Sequence, residues 1–176
     1  MKKTVPTFGL ISGAITALMM LANVRFAEKI GFDKAEIIGY TTLVLSALLV
    51  FFGTRSYREN ISGGQLTFRR GFAVGIMITL LSSLCYVATW EIVYYKFAPD
   101  FADKYAAYEI ERAKKAPGAT PQKIEEITRK MDQFKQIYPN PVINVAYTFM
   151  EIFPFGLAAT LLSTAVLRKK AARQSA

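Results

Sequence analysis

Glu151 is the residue of this 176-residue chain best placed to do chemistry, because it alone interrupts an otherwise uncharged run over residues 139–167. A carboxylate inside hydrocarbon is costly unless it is neutral, paired or wet, so such a group is a candidate for handling a proton or a cation. The same carboxyl can instead tie helices together through a hydrogen bond or an ion pair. Pro154 follows three residues later and removes a backbone hydrogen bond. Broken helices flank binding sites in transporters, although proline is also common in membrane helices. At 1.5 Å per residue, Glu151 lies about 24 Å, and Glu91 about 30 Å, from the same boundary of their runs. Arg25, Asn23 and Asn144 fall in similar layers. Glu151, Glu91 and Arg25 therefore form a candidate intramembrane polar cluster. Its functional reading is a proton or cation site. Its structural reading has Glu91 reaching the headgroups while Glu151 caps a helix or pairs to hold a bundle.

Other chemistry is excluded by composition. The chain has no histidine and a single cysteine, Cys85, so neither a disulfide nor a thiolate metal site can form within it. No metal and no cofactor are expected, and no Ser/His or Cys/His pair can be assembled, so the chain is not expected to be an enzyme. Gly63-Gly64 is not a phosphate loop, because no Gly-Lys-Ser/Thr follows it, and it reads as a turn. The net charge of +9 flanks hydrophobic stretches instead of forming a face. The bilayer, not nucleic acid, is the partner this implies.

The elements that must position these residues are membrane helices. Mean hydropathy is +0.25 and 52% of residues are apolar, and uncharged runs of about 20 residues are long enough to cross the hydrocarbon core. Transmembrane helices are expected at about 5–26, 37–54, 71–95 and 141–167, with a polar turn over 27–36 and an outer loop over 96–138. The first helix is expected to be retained, since its apolar part exceeds a signal-peptide core and no small-x-small cleavage site follows. With both termini inside, the inner segments carry ten basic residues against one acid. The outer ones carry twelve basic and ten acidic residues, nine of the bases in the long loop. Lys and Arg orient a chain mainly near helix ends, which favours N-in and C-in.

The long loop has structure of its own. Residues 100–116 carry Phe101, Tyr105, Tyr108 and Ile110 among charges, and Pro117-Gly118-Ala119 breaks the chain. Thr120 followed by Pro121 is a helix start, and Ile124, Ile127, Met131, Phe134 and Tyr138 then recur on one stripe. A short amphipathic helical hairpin is predicted. Trp90, Tyr94, Tyr95 and Phe97 are expected at the membrane interface, where amphipathic rings belong. Gly9 and Gly13, continued by Ala17, and Gly71 and Gly75, continued by Thr79 and Ser83, are small-residue stripes that let helix backbones approach.

Several local patterns occur together: Tyr57-Arg58-Glu59-Asn60 with Gly63-Gly64 and Thr67-Phe68; Phe97-Ala98-Pro99-Asp100-Phe101 with Lys104-Tyr105; Asn140-Pro141, Phe149-Met150-Glu151 and Pro154-Phe155-Gly156-Leu157. In this order they resemble the bacterial family of unknown function DUF4199, over nearly the whole chain. The resemblance implies a four-helix bacterial inner-membrane protein and brings no catalytic residue and no ligand. The fold class expected is all-α, a single membrane domain over 1–176: a four-helix transmembrane bundle with an extracytoplasmic amphipathic hairpin between its third and fourth spans. The function expected is that of a structural, accessory or partner-binding subunit of the inner membrane, self-associating or bound to another membrane protein. The alternative is a small oligomeric transporter or channel using Glu91 and Glu151.

Overall fold

The computed structural model describes residues 1–168. Lys169, Lys170 and Arg173, three of the basic residues that set the expected orientation, lie outside the described residues. Six α-helices follow one another: α1 (Thr4–Ile30), α2 (Phe32–Asn60), α3 (Phe68–Phe97), α4 (Phe101–Lys115), α5 (Pro121–Ile137) and α6 (Pro141–Leu167). Of these, α1, α2, α3 and α6 are long and apolar enough to cross a membrane.

The fourth expected span matches α6 at both ends, while α1, α2 and α3 overrun theirs, because an apolar run marks the depth of hydrocarbon and not the end of hydrogen bonding. The polar turn expected over 27–36 shrinks to one residue. Gly31 stands between α1 and α2 at φ 86°, ψ 152°, and its N–H donates to the Ala27 carbonyl. That backbone region is essentially reserved for glycine. The flanking Lys and Glu residues are good helix formers, so they extend both helices. Gly63 and Gly64 form the expected turn, at φ 60° and 79°, and Gly64 N–H donates to the Arg58 carbonyl at 2.9 Å.

The chain divides into two compact units, residues 1–89 with 148 onward, and residues 90–147. In the first, α1, α2, α3 and α6 pack as a bundle. Val5, Val50, Tyr57, Leu66, Val74, Ile78 and Leu167 share one apolar cluster. The start of α1 and of α3 therefore meets the end of α2 and of α6, which gives an up-down-up-down arrangement. Away from that cluster the usual distribution is inverted. Ser12, Thr16, Ser46, Thr79, Ser82 and Thr160 are buried, while Leu18, Leu84, Leu162 and Val166 are each more than 60% exposed. Lipid is as apolar as leucine, so nothing drives leucine inward there, whereas small and hydroxyl residues gain by close contact and mutual hydrogen bonds.

The second unit contains the predicted hairpin, with α4 packed on α5, together with the end of α3 and the start of α6. Thr120 accepts from Lys123 N–H at 3.3 Å, and Pro121 opens α5. Thr120→Ala is expected to lower the stability of this unit by about 1 kcal/mol, read as an earlier loss of helicity on heating. Exposed ion pairs line both helices, Lys104–Asp100 at 2.9 Å, Lys114–Glu111 at 2.7 Å and Lys130–Glu126 at 2.7 Å. Each lysine holds its partner carboxyl below the ordinary value, and pairs this exposed stabilise little. The aromatic residues depart from the expected belt. Trp90 and Tyr94 are buried in a ring cluster centred on Tyr138, and only Tyr95 and Phe97 are exposed as interface residues would be. The stripe on α5 explains the difference: Phe134 and Tyr138 present rings on one face, and rings pack best on other rings in edge-to-face contact.

Candidate functional site

The polar interior of the first unit is built from hydroxyls at helical spacing. Ser12 on α1, Ser46 on α2 and Ser82 on α3 meet at one point. The Ser12 hydroxyl lies 2.6 Å from that of Ser46 and 2.8 Å from that of Ser82, and Ser46 lies 3.4 Å from Ser82. Each hydroxyl has one proton and two lone pairs, so the three can satisfy one another and pin three helices in register. A second contact joins α3 to α6, where the Thr79 and Thr160 hydroxyls are 3.2 Å apart. Thr160 already donates to the Gly156 carbonyl at 2.8 Å, so Thr79 is the donor between them. Beside these contacts a crevice with room for about one water molecule is lined by Ser46, Thr79, Ser82, Ser83, Ile152 and Gly156 among others. Ser83 is fully buried, and its Oγ has no hydrogen-bond partner among the described residues.

This asymmetry gives a paired expectation. Ser12→Ala removes two interhelical contacts and should cost about 1 kcal/mol. Ser83→Ala removes a hydroxyl that is already unsatisfied and should leave stability unchanged or slightly raised. Thermal unfolding of the two variants in the same detergent separates them.

The packing glycines sit against side chains of neighbouring helices. A Cβ at Gly9 would lie 2.7 Å from Leu81 Cδ2, and one at Gly13 2.6 Å from Cys85 Cβ. Both contacts run from α1 to α3. A Cβ at Gly71 would lie 3.0 Å from Thr164 Cγ2, and one at Gly75 2.8 Å from Thr160 Cγ2. These run from α3 to α6. Two further glycines, Gly53 facing Ile78 and Gly156 facing Thr79, make the same kind of contact. Neither is part of a Gly-x-x-x-Gly pair. The signal that could have found Gly156 is its spacing with Thr160 and Thr164 on one face of α6.

Of the charged cluster, Glu151 and Arg25 lie in the first unit and Glu91 in the second. Glu151 is on the outward face of α6 and hydrogen-bonds to the side chain of Tyr86 on α3. Arg25 is exposed on the outward face of α1 and forms no ion pair among the described residues. Glu91 belongs to the second unit, half-buried, with Oε1 enclosed and unbonded among the described residues. Tyr86 was not singled out from sequence. Its meeting with Glu151 depends on the rotation of α3 against α6, which the Gly75–Thr160 and Thr79–Gly156 contacts set.

In the second unit Tyr138 is the hub. Its ring centroid lies 4.4 Å from that of Phe134, 5.3 Å from Tyr94 and 6.0 Å from Tyr147. Its hydroxyl accepts from Trp90 Nε1 at 2.9 Å. Tyr95 donates its hydroxyl to the Pro139 carbonyl at 2.9 Å, and Asn144, fully buried, donates to the Tyr138 carbonyl at 3.4 Å. These contacts fill the space between the rings, which makes the cluster a packed core and not a cage for a ligand.

No curated protein and no solved structure matches the chain significantly. The model of the family described as "Protein of unknown function (DUF4199)" matches residues 7–169, nearly the whole length, and this membrane-helix chain belongs to that family.

Proposed function

We propose that the chain is an accessory subunit of the bacterial inner membrane, acting by contact with other membrane helices and not by transport or catalysis. The observation that carries this reading is the setting of Glu151. It stands on the outward face of α6, held by Tyr86. A carboxyl on a lipid-facing surface asks for a donor from outside the bundle, because leaving it in hydrocarbon is costly. The interior is occupied by glycine contacts and by hydroxyls that, Ser83 apart, bond to one another or to backbone carbonyls, which supports a packing role for the bundle. Orientation follows the positive-inside rule, with Arg55, Arg58, Arg69 and Arg70 beside the Gly63-Gly64 turn on the cytoplasmic side and the α4–α5 hairpin outside.

Purification in mild detergent with mass measurement tests the reading. A stoichiometric complex is expected, and a lone chain in every mild detergent and in nanodiscs would overturn it. Cysteines placed at Ser62 and Ala119 in a C85S background test orientation: intact cells should label the second and spare the first. A second reading, a small oligomeric transporter using Glu91 and Glu151, draws on the enclosed, unbonded Oε1 of Glu91. Ion flux through reconstituted vesicles that E91Q and E151Q abolish, with the fold retained, would favour it.

A further inference from the structure

We propose that the partner at Glu151 is a second copy of this chain, whose α1 lays its outward face on α6 and supplies Arg25 to the carboxyl. The inference rests on the accessory reading above and names the occupant of that site. Four observations converge on it.

The first is charge. Glu151 on α6 and Arg25 on α1 are an exposed acid and an exposed base of the first unit within candidate spans and well away from the Tyr57 end, whereas the other exposed charges of those spans at that end, Asp33, Lys34 and Glu36, sit in the opening turns of α2 beside the Gly31 connection. Tyr86 occupies one acceptor position of the carboxylate, and others remain for a two-pronged guanidinium contact.

The second is depth. Val5 and Leu167 share one cluster, so α1 and α6 can be measured from the same level. Arg25 is 21 residues beyond Thr4, about 31 Å, and Glu151 is 16 residues before Leu167, about 24 Å. The third is direction. Side chains lean toward the N-terminus of their own helix. In α1 that lean carries Arg25 toward the Tyr57 end, and in α6 it carries Glu151 away from it. In two copies oriented alike in the bilayer, the side chains therefore lean toward each other across the difference of about 7 Å, which a guanidinium on its three-carbon stem can span together with a carboxyl.

The fourth is shape. Ala14, Leu18 and Ala22 share the exposed face of Arg25, and Pro154, Ala158 and Leu162 share that of Glu151. Ala14 lies about 15 Å, and Ala158 about 14 Å, above the common level. Two alanines at one height let the backbones approach, and the leucines on either side fill the flanks. Because the α1 patch and the α6 patch are different surfaces, the contact repeats head to tail and closes into a ring if the rotation permits.

The experiment uses two differently tagged full chains in one membrane, both C85S, one carrying A14C and the other A158C. A short thiol cross-linker should join them. Chains carrying A158C alone should not join each other. R25E in both chains, or E151R in both, should lower the mixed product about tenfold or more, and the two changes together in each chain should restore it. Should the reversed charges prevent folding, R25Q and E151Q give the same loss in chains whose melting in detergent is unchanged. Cross-linking dominated by A158C with A158C, or a mixed product indifferent to both charges, overturns the proposal. A chain that never cross-links to itself but purifies stoichiometrically with a different membrane protein defeats self-association and leaves the accessory reading standing.

Discussion

Gly75→Leu should prevent the first unit from packing, and Gly13→Leu should do nearly the same. A Cβ alone at Gly75 would come within 2.8 Å of Thr160 Cγ2 and 3.0 Å of Thr160 Oγ1. Thr160 cannot swing aside freely, since its hydroxyl is tied to the Gly156 carbonyl at 2.8 Å and to Thr79. Opposite it, Gly156 is in closer contact still with Thr79, so α3 and α6 interlock from both sides. A leucine would force the helices apart, breaking the Thr79–Thr160 contact and moving Tyr86 from Glu151. At Gly13 the obstacle is Cys85, with Cβ at 2.6 Å and Sγ at 2.8 Å, and separation of α1 from α3 would break the Ser12–Ser82 bond. Overpacking of this kind costs about 3 kcal/mol or more where backbones cannot yield. The expected readout is a lower melting temperature in detergent, or no recoverable folded protein. Leu48→Ala, at a position 49% exposed and facing lipid, should change little and serves as the control. If both glycine variants melt with the parent chain, the close approach of α1, α3 and α6 is wrong.

Tyr138→Ala should disorganise the second unit while leaving the first intact. The ring touches Phe134, Tyr94, Phe101 and Tyr147, so its removal opens a cavity in the only apolar core these residues share. Deleting a buried aromatic ring costs about 3–5 kcal/mol. Tyr138→Phe keeps the ring and removes the acceptor for Trp90 Nε1, so it should cost about 1–3 kcal/mol through an unpaired buried N–H. The chain has one tryptophan, and its emission reports directly on this contact. Tyr138→Ala should shift the emission to the red and expose the α4–α5 hairpin to protease. Tyr138→Phe should change the emission with the hairpin still resistant. Equal behaviour of the two variants would mean that the hydrogen bond, and not the ring, organises the unit.

The helices themselves were legible in the sequence, and so were their number, the hairpin and its start at Thr120-Pro121. Each depends on local chemistry: unbroken apolar length, a threonine cap before proline, apolar residues every three to four positions. Helix ends were less legible. Charged residues beyond the hydrocarbon continue α1 and α2 as far as Gly31, where backbone geometry and not polarity stops them. The aromatic residues of α3 divided for a related reason. Trp90 and Tyr94 carry the composition of an interface belt, but the rings of α5 compete for them, and a packed ring-on-ring core outweighs a place among headgroups.

What composition and spacing could name was which residues are costly or small: Glu151, Glu91 and Arg25, and the glycines at 9, 13, 71 and 75. What they could not give was the rotation of each helix about its axis. A turn of a few tens of degrees decides whether Glu151 meets Tyr86 or Arg25, and whether Ser12, Ser46 and Ser82 share a point or face separate lipids. That rotation is fixed by contacts among residues far apart in sequence, Gly75 with Thr160, Gly13 with Cys85 and Gly53 with Ile78. In lipid these contacts matter more than hydropathy, because apolar side chains are equally well placed on either face and only close packing and hydrogen bonding distinguish inside from outside.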